Sequence, residues 1–248
     1  MSEESVPPNL FGARIAQTYD DDSQDMFDHA VIGATVDFLV GLAGDGAALE
    51  MAIGTGRIAL PLSERGIPVR GIDLSPDMVA VLASKEGSDA IGVAMGDMTT
   101  IRVDGEFRLV YLVYNGIGNL ITQDAQVECF RNAAAHLEPG GCFVVEVGVP
   151  QLRRLPPGDT AQVFTLTPTH VGLDTFDVVE QLGVSHHYWL ADGHTETHST
   201  PWRFVWPAEL DLMARLAGMR RRERWADWDR SPFTSESTKH VSVWEKVA

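Results

Sequence analysis

Residues 49–57 read Leu-Glu-Met-Ala-Ile-Gly-Thr-Gly-Arg, and this stretch decides the fold. Apolar residues surround Glu50, which is typical of a buried strand. Gly54 and Gly56 then form a tight turn that lets a ligand approach the backbone, and Arg57 begins a helix. The pattern predicts a strand, a glycine-rich turn and a helix, the unit on which nucleotide cofactors bind.

The next strand is predicted over residues 67–72, directly before Asp73. In a βαβ unit this position places a carboxylate at the carboxyl edge of the sheet, where it can accept hydrogen bonds from both hydroxyls of a ribose. Residues 75–77 (Ser-Pro-Asp) have the form of a helix start, and the helix is predicted to reach about Glu86. Taken alone, Asp73 could also merely precede this helix cap.

Strands and helices keep alternating through the first part of the chain. Short strands are predicted over residues 90–95 and 107–114, a helix over 123–137, and a continuous apolar strand over 142–147. A further helix, predicted over residues 25–43, precedes the first strand. This alternation predicts an α/β fold with a doubly wound parallel sheet, whose ligands bind at the carboxyl ends of the strands.

Beyond Pro150 the pattern becomes that of an antiparallel insertion. Residues 191–194 (Ala-Asp-Gly-His) have the form of a two-residue hairpin turn. Such a turn sets His187 opposite His198 and Trp189 opposite Glu196, with all four side chains on one face. The same register adds Trp202, Phe204 and Trp206 to this face, and assigns the other face to His186, Tyr188 and Thr197.

The last part of the chain returns to the main pattern. A helix is predicted over residues 206–217, and strands are predicted over 220–225 and 240–247. The expected organisation is one domain with four parts. They are an N-terminal helical cap (1–46), a cofactor-binding core (47–149), an antiparallel lid (150–206) and a C-terminal helix with strands that complete the sheet (207–248).

Composition argues against several classes of protein. The chain has 248 residues, 44% of them hydrophobic, which supports a substantial core. Its formal net charge of −16 opposes contact with nucleic-acid phosphates and anionic membrane surfaces, so neither is an expected partner. Cys129 and Cys142 lack the spacing of a disulfide framework or a zinc site. Without a signal-like N-terminus or an apolar run of about 18 residues, the expected location is the cytoplasm.

Two further motifs carry a resemblance to a known family. Residues 96–98 (Gly-Asp-Met) follow the third strand, and residues 137–141 (Leu-Glu-Pro-Gly-Gly) precede the fifth. Together with Glu50-x-Ala52-x-Gly54-x-Gly56 and Asp73, they resemble the class I S-adenosylmethionine-dependent methyltransferases of the small-molecule type. The resemblance implies a Rossmann-like, seven-stranded sheet whose last strand is antiparallel, with the antiparallel β insertion placed after the fifth strand.

The resemblance also implies a site for S-adenosylmethionine. Its glycine-rich turn approaches the methionine part of the cofactor, the acid at Asp73 binds the ribose, and Asp97 contacts the adenine amino group. Many family members carry glycine where this chain has Ala52. The residues expected at the cofactor are Tyr19, Glu50, Ala52, Gly54, Gly56, Asp73, Leu74, Met78, Asp97, Met98, Tyr114 and Asn115.

The implied reaction is methyl transfer to a nitrogen or oxygen atom of a small organic acceptor. Displacement at a sulfonium methyl requires mainly that the acceptor is oriented, and a general base is optional. The candidate catalytic residues are Tyr114, at the end of the fourth strand, and His187, on the hairpin. Tyr19 belongs to a Tyr-Asp segment that resembles one closing over the cofactor in small-molecule methyltransferases.

Three alternatives remain open at the level of sequence. Gly54-x-Gly56-x-x-Ala59 with Asp73 also satisfies the pattern of an NAD-dependent oxidoreductase, and a non-catalytic cofactor-binding protein is the second alternative. A metal site of His187, His198 and Glu196 is conceivable from their spacing. No metal is predicted, because three ligands on one flat hairpin need a bulge or further closure. Pro201 could supply a break in the ladder, which would also shift the assumed register.

Overall fold

A computed structural model of the chain describes residues 11–22, 24–191 and 193–247. Its helices are α1 (Ala13–Asp22), α2 (His29–Ala43), α3 (Ala59–Glu64), α4 (Pro76–Ala83), α5 (Gln123–His136) and α6 (Pro207–Leu216). Its strands are β1 (Ala48–Met51), β2 (Val69–Asp73), β3 (Gly92–Met95), β4 (Phe107–Leu112), β5 (Leu137–Gly148), β6 (Ala161–Leu166), β7 (His170–Asp177), β8 (Leu182–Ala191), β9 (His194–Arg203), β10 (Met219–Trp225) and β11 (Lys239–Lys246). Within these ranges, no helix has the length and apolar character that crossing a membrane requires.

Seven strands form the main sheet, in the order β10-β11-β5-β4-β1-β2-β3. Only β11 is reversed, because it runs antiparallel to both β5 and β10 while the remaining pairs are parallel. Alternate residues of β1 enter two different cores: Leu49 and Met51 pack into one, and Ala48 packs into the other. The predicted Rossmann-like sheet is therefore confirmed, and the carboxyl ends of β1 to β4 meet at one edge.

The N-terminal region contains one helix that the sequence pattern did not predict. Residues 14–20 belong to α1, and the helix predicted over residues 25–43 begins only at His29. Asp28 caps this second helix by accepting a hydrogen bond of 2.7 Å from the backbone N–H of Ala30. The first ten residues of the predicted cap, and Ser23, lie outside the described residues.

Strands β6 to β9 form a four-stranded antiparallel sheet, here called the lid, between β5 and α6. The predicted hairpin pairing is confirmed, since His187 lies opposite His198 and Trp189 opposite Glu196. Asp192 of the predicted turn lies outside the described residues. The register continues past Pro201 without a shift, because β9 is an edge strand and its proline removes no ladder bond from a central strand.

One member of the predicted aromatic face lies elsewhere. Strand β9 ends at Arg203, but the N–H of Phe204 still donates to the carbonyl oxygen of Gln181 at 3.0 Å, so the predicted alternation extends to Phe204 and not to Trp206. Phe204 is buried and packs against Phe176 and Trp202 at the base of the lid. Trp206 is exposed at the residue that precedes α6. The chain leaves the strand conformation there because Pro207 begins a helix.

Candidate active site

A cavity opens at the carboxyl edge of the main sheet, where β1, β2, β3 and β4 end. Four polar side chains reach it from four successive strand ends: Glu50, Asp73, Asp97 and Tyr114. Of the residues expected at the cofactor, those that line the cavity are Tyr19, Glu50, Ala52, Gly54, Asp73, Leu74, Met78, Asp97, Met98 and Tyr114. Gly56 and Asn115 are not part of the lining.

The glycine-rich turn holds three residues in the left-handed region. Gly54 and Gly56 have φ values of +57° and +80°, and Ala52, a residue with a Cβ, has a φ of +54°. A Cβ added to Gly56 would lie 2.4 Å from Cδ1 of Leu82 in α4. The second glycine therefore allows α4 to pack against the turn, and its expected contact with the cofactor stays a prediction.

Asp73 joins the glycine-rich turn to the start of α4. One carboxylate oxygen accepts the N–H of Gly54 at 2.7 Å, and the other accepts the N–H of Ser75 at 2.8 Å. Burial raises the pKa of this carboxyl group, and the backbone hydrogen bonds act in the opposite direction. Ser75 caps α4. Asp73 therefore precedes a helix cap and also lines the cavity. Each carboxylate oxygen keeps a lone pair for a ligand hydroxyl.

Glu50 is a carboxyl group at the buried end of β1. Only 3% of its surface is exposed, and its Oε2 accepts a hydrogen bond of 3.0 Å from the Tyr111 hydroxyl. Burial raises the pKa of Glu50 from 4.5 to about 8, although the Tyr111 hydrogen bond and the Arg57 charge lower it. A positively charged ligand group in the cavity would stabilise the ionised form of Glu50.

The turn after β4 has an unusual backbone. Tyr114 and Asn115 have φ values of +52° and +61°, so the predicted strand ends two residues early, at Leu112. Buried Glu146 holds this turn, because its Oε2 accepts the N–H of Tyr114 at 3.1 Å. The Asn115 side chain accepts the N–H of Gly148 at 2.7 Å, which ties β4 to β5 and accounts for its absence from the cavity wall.

Helix α1 lies beside the glycine-rich turn and covers part of the cavity. Asp20 accepts hydrogen bonds from the Thr55 hydroxyl at 2.6 Å and from Nζ of Lys85 at 2.5 Å. This places Tyr19 in the cavity wall, where burial raises the pKa of its hydroxyl. The ring of Phe11, another lining residue, packs edge-on against Tyr19 at 6.1 Å.

Several residues of the cavity lining were not predicted from the sequence. Arg57 lies 5.4 Å from the ring centroid of Tyr114, and its guanidinium is anchored by the carbonyl oxygen of Met26 at 3.1 Å. Its place in the glycine-rich motif was the one signal that could have identified it. The other unpredicted polar or apolar lining residues are Phe11, Ile53, Thr55, Ile72, Ser75, Gly96, Val113, Gly116, Asn119 and Leu120.

His187, a candidate catalytic residue, lies on the lid and not in the cavity wall. Its Nδ1 is 3.0 Å from Nε2 of His170, and both rings are nearly parallel to Trp189. Burial lowers the pKa of His187. Within the described part of the chain, no cluster of His, Cys, Asp and Glu is arranged to hold a metal ion. A catalytic role for His187 stays a prediction.

The profile of a methyltransferase domain matches residues 48–141. The solved structure of the CcbJ methyltransferase from Streptomyces caelestis superposes with a TM-score of 0.86 at 33% identity, covering 97% of this chain and 99% of that one. The chain belongs to the class I S-adenosylmethionine-dependent methyltransferases. It is therefore an enzyme whose cofactor is S-adenosylmethionine, and the NAD-dependent alternative is not favoured.

Two curated relatives match this methyltransferase over shorter lengths. YqeM of Bacillus subtilis is 34% identical over 41% of this chain and 42% of that protein. The dTDP-3-amino-3,6-dideoxy-alpha-D-glucopyranose N,N-dimethyltransferase of Streptomyces fradiae is 37% identical over 40% of this chain and 38% of that protein. The matched part of the chain spans less than half of the length of each of these relatives.

Proposed function

We propose that this methyltransferase acts on an amine nitrogen of a small organic molecule. The observation that carries this proposal is the chemistry of the cavity wall. Among the lining residues that the structure describes, none is a His, Cys or Lys, and we assign the three carboxyl groups of the lining, those of Glu50, Asp73 and Asp97, to the cofactor. A hydroxyl acceptor gains from a base that removes its proton, whereas the free-base form of an amine already presents a nucleophilic lone pair.

The relatives support the same choice of acceptor atom. The Streptomyces fradiae relative is named for N,N-dimethylation of an amino sugar. A second curated relative, from Streptomyces venezuelae, is 34% identical over 40% of this chain and is named for N,N-dimethylation of a related amino sugar. A small-molecule amine is thus the acceptor class that agrees with both the cavity wall and these names.

The cavity wall fits S-adenosylmethionine. Glu50 offers a buried carboxyl group for the ammonium of its methionine part, and Arg57 offers the opposite charge for its carboxylate. Asp73 has lone pairs for the ribose hydroxyls, and we assign Asp97, which lines the same cavity, to the adenine amino group. The apolar side chains of Leu74, Met78 and Met98 surround this end of the cavity. Gly54 leaves the backbone open to the ligand.

The protein's part in the reaction is to orient and to exclude water. When bound, S-adenosylmethionine supplies a sulfonium methyl group that an amine lone pair can displace in line. The Tyr19 hydroxyl is protonated at neutral pH, and burial raises its pKa further, so it can act as a hydrogen-bond donor. The Tyr114 ring contacts the Arg57 guanidinium in the cavity wall, and Tyr114 is our candidate for contact with the acceptor.

We assign the four parts of the chain as follows. Residues 1–46 form the cap, 47–149 the cofactor-binding core, 150–206 the lid, and 207–248 the segment that completes the sheet. We assign binding of the acceptor to the lid, which lies beside the cavity, and binding of the cofactor to the core.

The test compares an amine with the matching alcohol. The enzyme is incubated with S-adenosylmethionine and either 3-amino-3-deoxy-D-glucose or D-glucose, and products are identified by mass and NMR. We expect N-methylation of the amino sugar and no reaction of glucose. The proposal would be contradicted if the enzyme methylated oxygen in both compounds. It would also be contradicted if the enzyme methylated neither compound and no simple amine.

Cofactor placement is tested separately by calorimetry with S-adenosylhomocysteine. Replacement of Asp73 by alanine removes the proposed ribose contact and both backbone hydrogen bonds, so binding is expected to be lost. Asp89, an exposed acid outside the cavity, provides the control variant Asp89→Ala. Equal affinity of the two variants would argue against the placement.

A further inference from the structure

One face of the lid, here called the inner face, carries His170, Asp174, Ser185, His187, Glu196, His198, Thr200 and Trp202. Strand pairing fixes its membership, because His187 lies opposite Gly172 and His198, and Ser185 lies opposite Asp174 and Thr200. Side chains two residues apart on a strand point to the same side. The proposed cofactor site uses none of these residues, although several are polar and half-buried.

Two contacts show that the inner face is turned towards the mouth of the cavity. At the base of the lid, Trp202 packs against Gly118, whose added Cβ would lie 4.0 Å from Cβ of Trp202. Gly118 belongs to the turn that supplies Gly116 and Asn119 to the cavity wall. At the far end, Glu196 pairs with Arg14 of α1. The inner face therefore reaches from one side of the cavity to the other.

A row of polar side chains crosses the inner face on three strands. The Ser185 hydroxyl donates to Oδ1 of Asp174 at 2.6 Å and accepts the indole N–H of Trp202 at 3.0 Å. Thr200 completes the row on β9, where its hydroxyl lies 2.8 Å from Nε2 of His198. Here Asp174, Ser185 and Thr200 are called the polar row. Its hydrogen bonds direct the Ser185 hydroxyl at Asp174.

Rings border the polar row on both sides, about 7 Å away along the strands. Two glycines make room for them. Phe164 lies over Gly172, where an added Cβ would meet its ring at 2.4 Å, and Trp202 lies over Gly183, where the distance would be 2.5 Å. On the side of the polar row away from Trp202, Phe164 also contacts His187 at 5.3 Å between ring centroids. The result is a polar strip between two aromatic borders.

We propose that this strip binds the ring of a hydroxylated acceptor, an amino sugar or aminocyclitol, through its hydroxyl groups. Such a ring has hydroxyls at its rim and C–H groups on its faces, which match a row of oxygen atoms flanked by aromatic rings. A flat aromatic acceptor has no ring of hydroxyl groups to offer to the polar row. The inference rests on the proposed amine acceptor and names Asp174 and Thr200 as the residues that select it.

The test uses two amines of similar ring size. The probes are 3-amino-3-deoxy-D-glucose and cyclohexylamine, titrated into enzyme saturated with S-adenosylhomocysteine and followed by saturation-transfer NMR. With little change in shape, Thr200→Val removes a hydroxyl group and Asp174→Asn replaces a charged acceptor oxygen by an amide N–H donor. Thr197→Val is the matched control, since Thr197 lies on the same strand but on the opposite face.

We expect the amino sugar to bind wild-type enzyme more tightly than cyclohexylamine does. Each polar-row variant is expected to weaken the amino sugar about tenfold. Cyclohexylamine and S-adenosylhomocysteine should bind all variants equally, and Thr197→Val should match wild type. Unchanged amino-sugar binding in both polar-row variants, or no preference for the hydroxylated ring, would overturn the inference.

Methylation of the same two amines separates this failure from failure of the proposed function. If both amines are methylated but the polar-row variants show wild-type selectivity, the acceptor class stands and the strip is not its binding site. If the enzyme methylates neither amine, the choice of an amine acceptor is itself wrong. Failure of the amino sugar to bind at millimolar concentration also rejects the strip.

Discussion

At the scale of single residues, Glu50 links the protonation of the protein to its ligand. The free enzyme holds this carboxyl group mostly protonated at pH 7, because burial raises its pKa to about 8. A bound ammonium group favours the ionised form. We therefore expect S-adenosylhomocysteine to displace close to one proton on binding at pH 7. Calorimetry in two buffers of different ionisation enthalpy measures this number directly.

The variant Glu50→Gln cannot release this proton, so its binding enthalpy should no longer depend on the buffer. Asp89→Asn, which changes an exposed acid, serves as the control and should behave like wild type. A buffer dependence that survives in Glu50→Gln would show that another group titrates.

Ala52 is a second residue with a measurable effect. Its φ of +54° costs a residue with a Cβ about 1 to 2 kcal/mol. Glycine removes this strain but adds about 0.4 to 1 kcal/mol of chain entropy to the unfolded state. The variant Ala52→Gly is therefore expected to be more stable, by about 0.5 to 1 kcal/mol in urea unfolding.

Ala80→Gly provides the comparison for this stability measurement. Ala80 is an exposed residue inside α4, where glycine is expected to lower the free energy of unfolding by about 1 kcal/mol. If Ala52→Gly destabilises the enzyme as much as Ala80→Gly does, the backbone at Ala52 carries no such strain.

At the scale of elements, Arg203 anchors the end of the lid to two core helices. Its guanidinium donates to Gln126 of α5 at 2.6 Å and to Glu209 of α6 at 2.8 Å. Both partners of the ion pair are largely buried. Gln126 also donates to the carbonyl oxygen of Ile117, in the turn beside the cavity, at 3.1 Å. The position of the lid is thus coupled to the cavity wall.

Removal of this anchor should be costly, because it leaves the Glu209 carboxylate buried without its cation. We expect Arg203→Met to lower the free energy of unfolding by about 3 kcal/mol, as measured by urea denaturation. Arg220→Met removes an exposed arginine that pairs with Glu245, and it should cost less than about 1 kcal/mol. Similar losses in the two variants would mean that the buried Arg203–Glu209 pair contributes no more to the free energy of unfolding than an exposed ion pair does.

The elements also differ in how far sequence could predict them. Strands such as β5 are apolar on both faces, and Ser75 with Pro76 marks the start of α4, so these parts were predictable. Helix α1 was not, because it has no marked cap and ends in the acidic residues 20–22, which oppose the helix dipole.

The candidate site shows the same division. Asp73 and Asp97 follow apolar strands and could be located by counting strand ends. The backbone of Tyr114 depends on Glu146, which lies one strand away, and no local pattern contains that information. Likewise, Phe164 reaches His187 only because Gly172 leaves a space between them. Contacts of this kind arise from packing between distant segments.

At the scale of the whole molecule, buried His240 makes stability depend on pH. Burial and the nearby Arg224 charge lower its pKa from 6.5 to about 3. Its Nδ1 lies 2.8 Å from the Ser242 hydroxyl, and its Nε2 has no hydrogen-bond partner among the described residues. The unfolded chain protonates this imidazole below pH 6.5 and the folded chain does not. The stability contributed at neutral pH is therefore lost as the pH falls.

Between pH 7 and pH 5 this loss should reach about 2 kcal/mol for one such group. We expect His240→Asn to lose that much less stability than wild type over the same interval, in urea unfolding at the two pH values. His29→Asn, at the exposed start of α2, is the control. If both variants keep the wild-type difference between the two pH values, His240 is not the responsible group.

The place of the lid in the chain has a consequence for how such enzymes diversify. The lid is one continuous segment between β5 and α6, and the matched methyltransferase domain ends before it, at residue 141. The residues that we assign to the cofactor, by contrast, are spread over four strand ends. If the lid binds the acceptor as proposed, natural selection, or an engineer, can exchange the acceptor by replacing a single stretch of the gene. The machinery for the methyl donor then stays in place, provided that the incoming segment keeps an arginine at position 203.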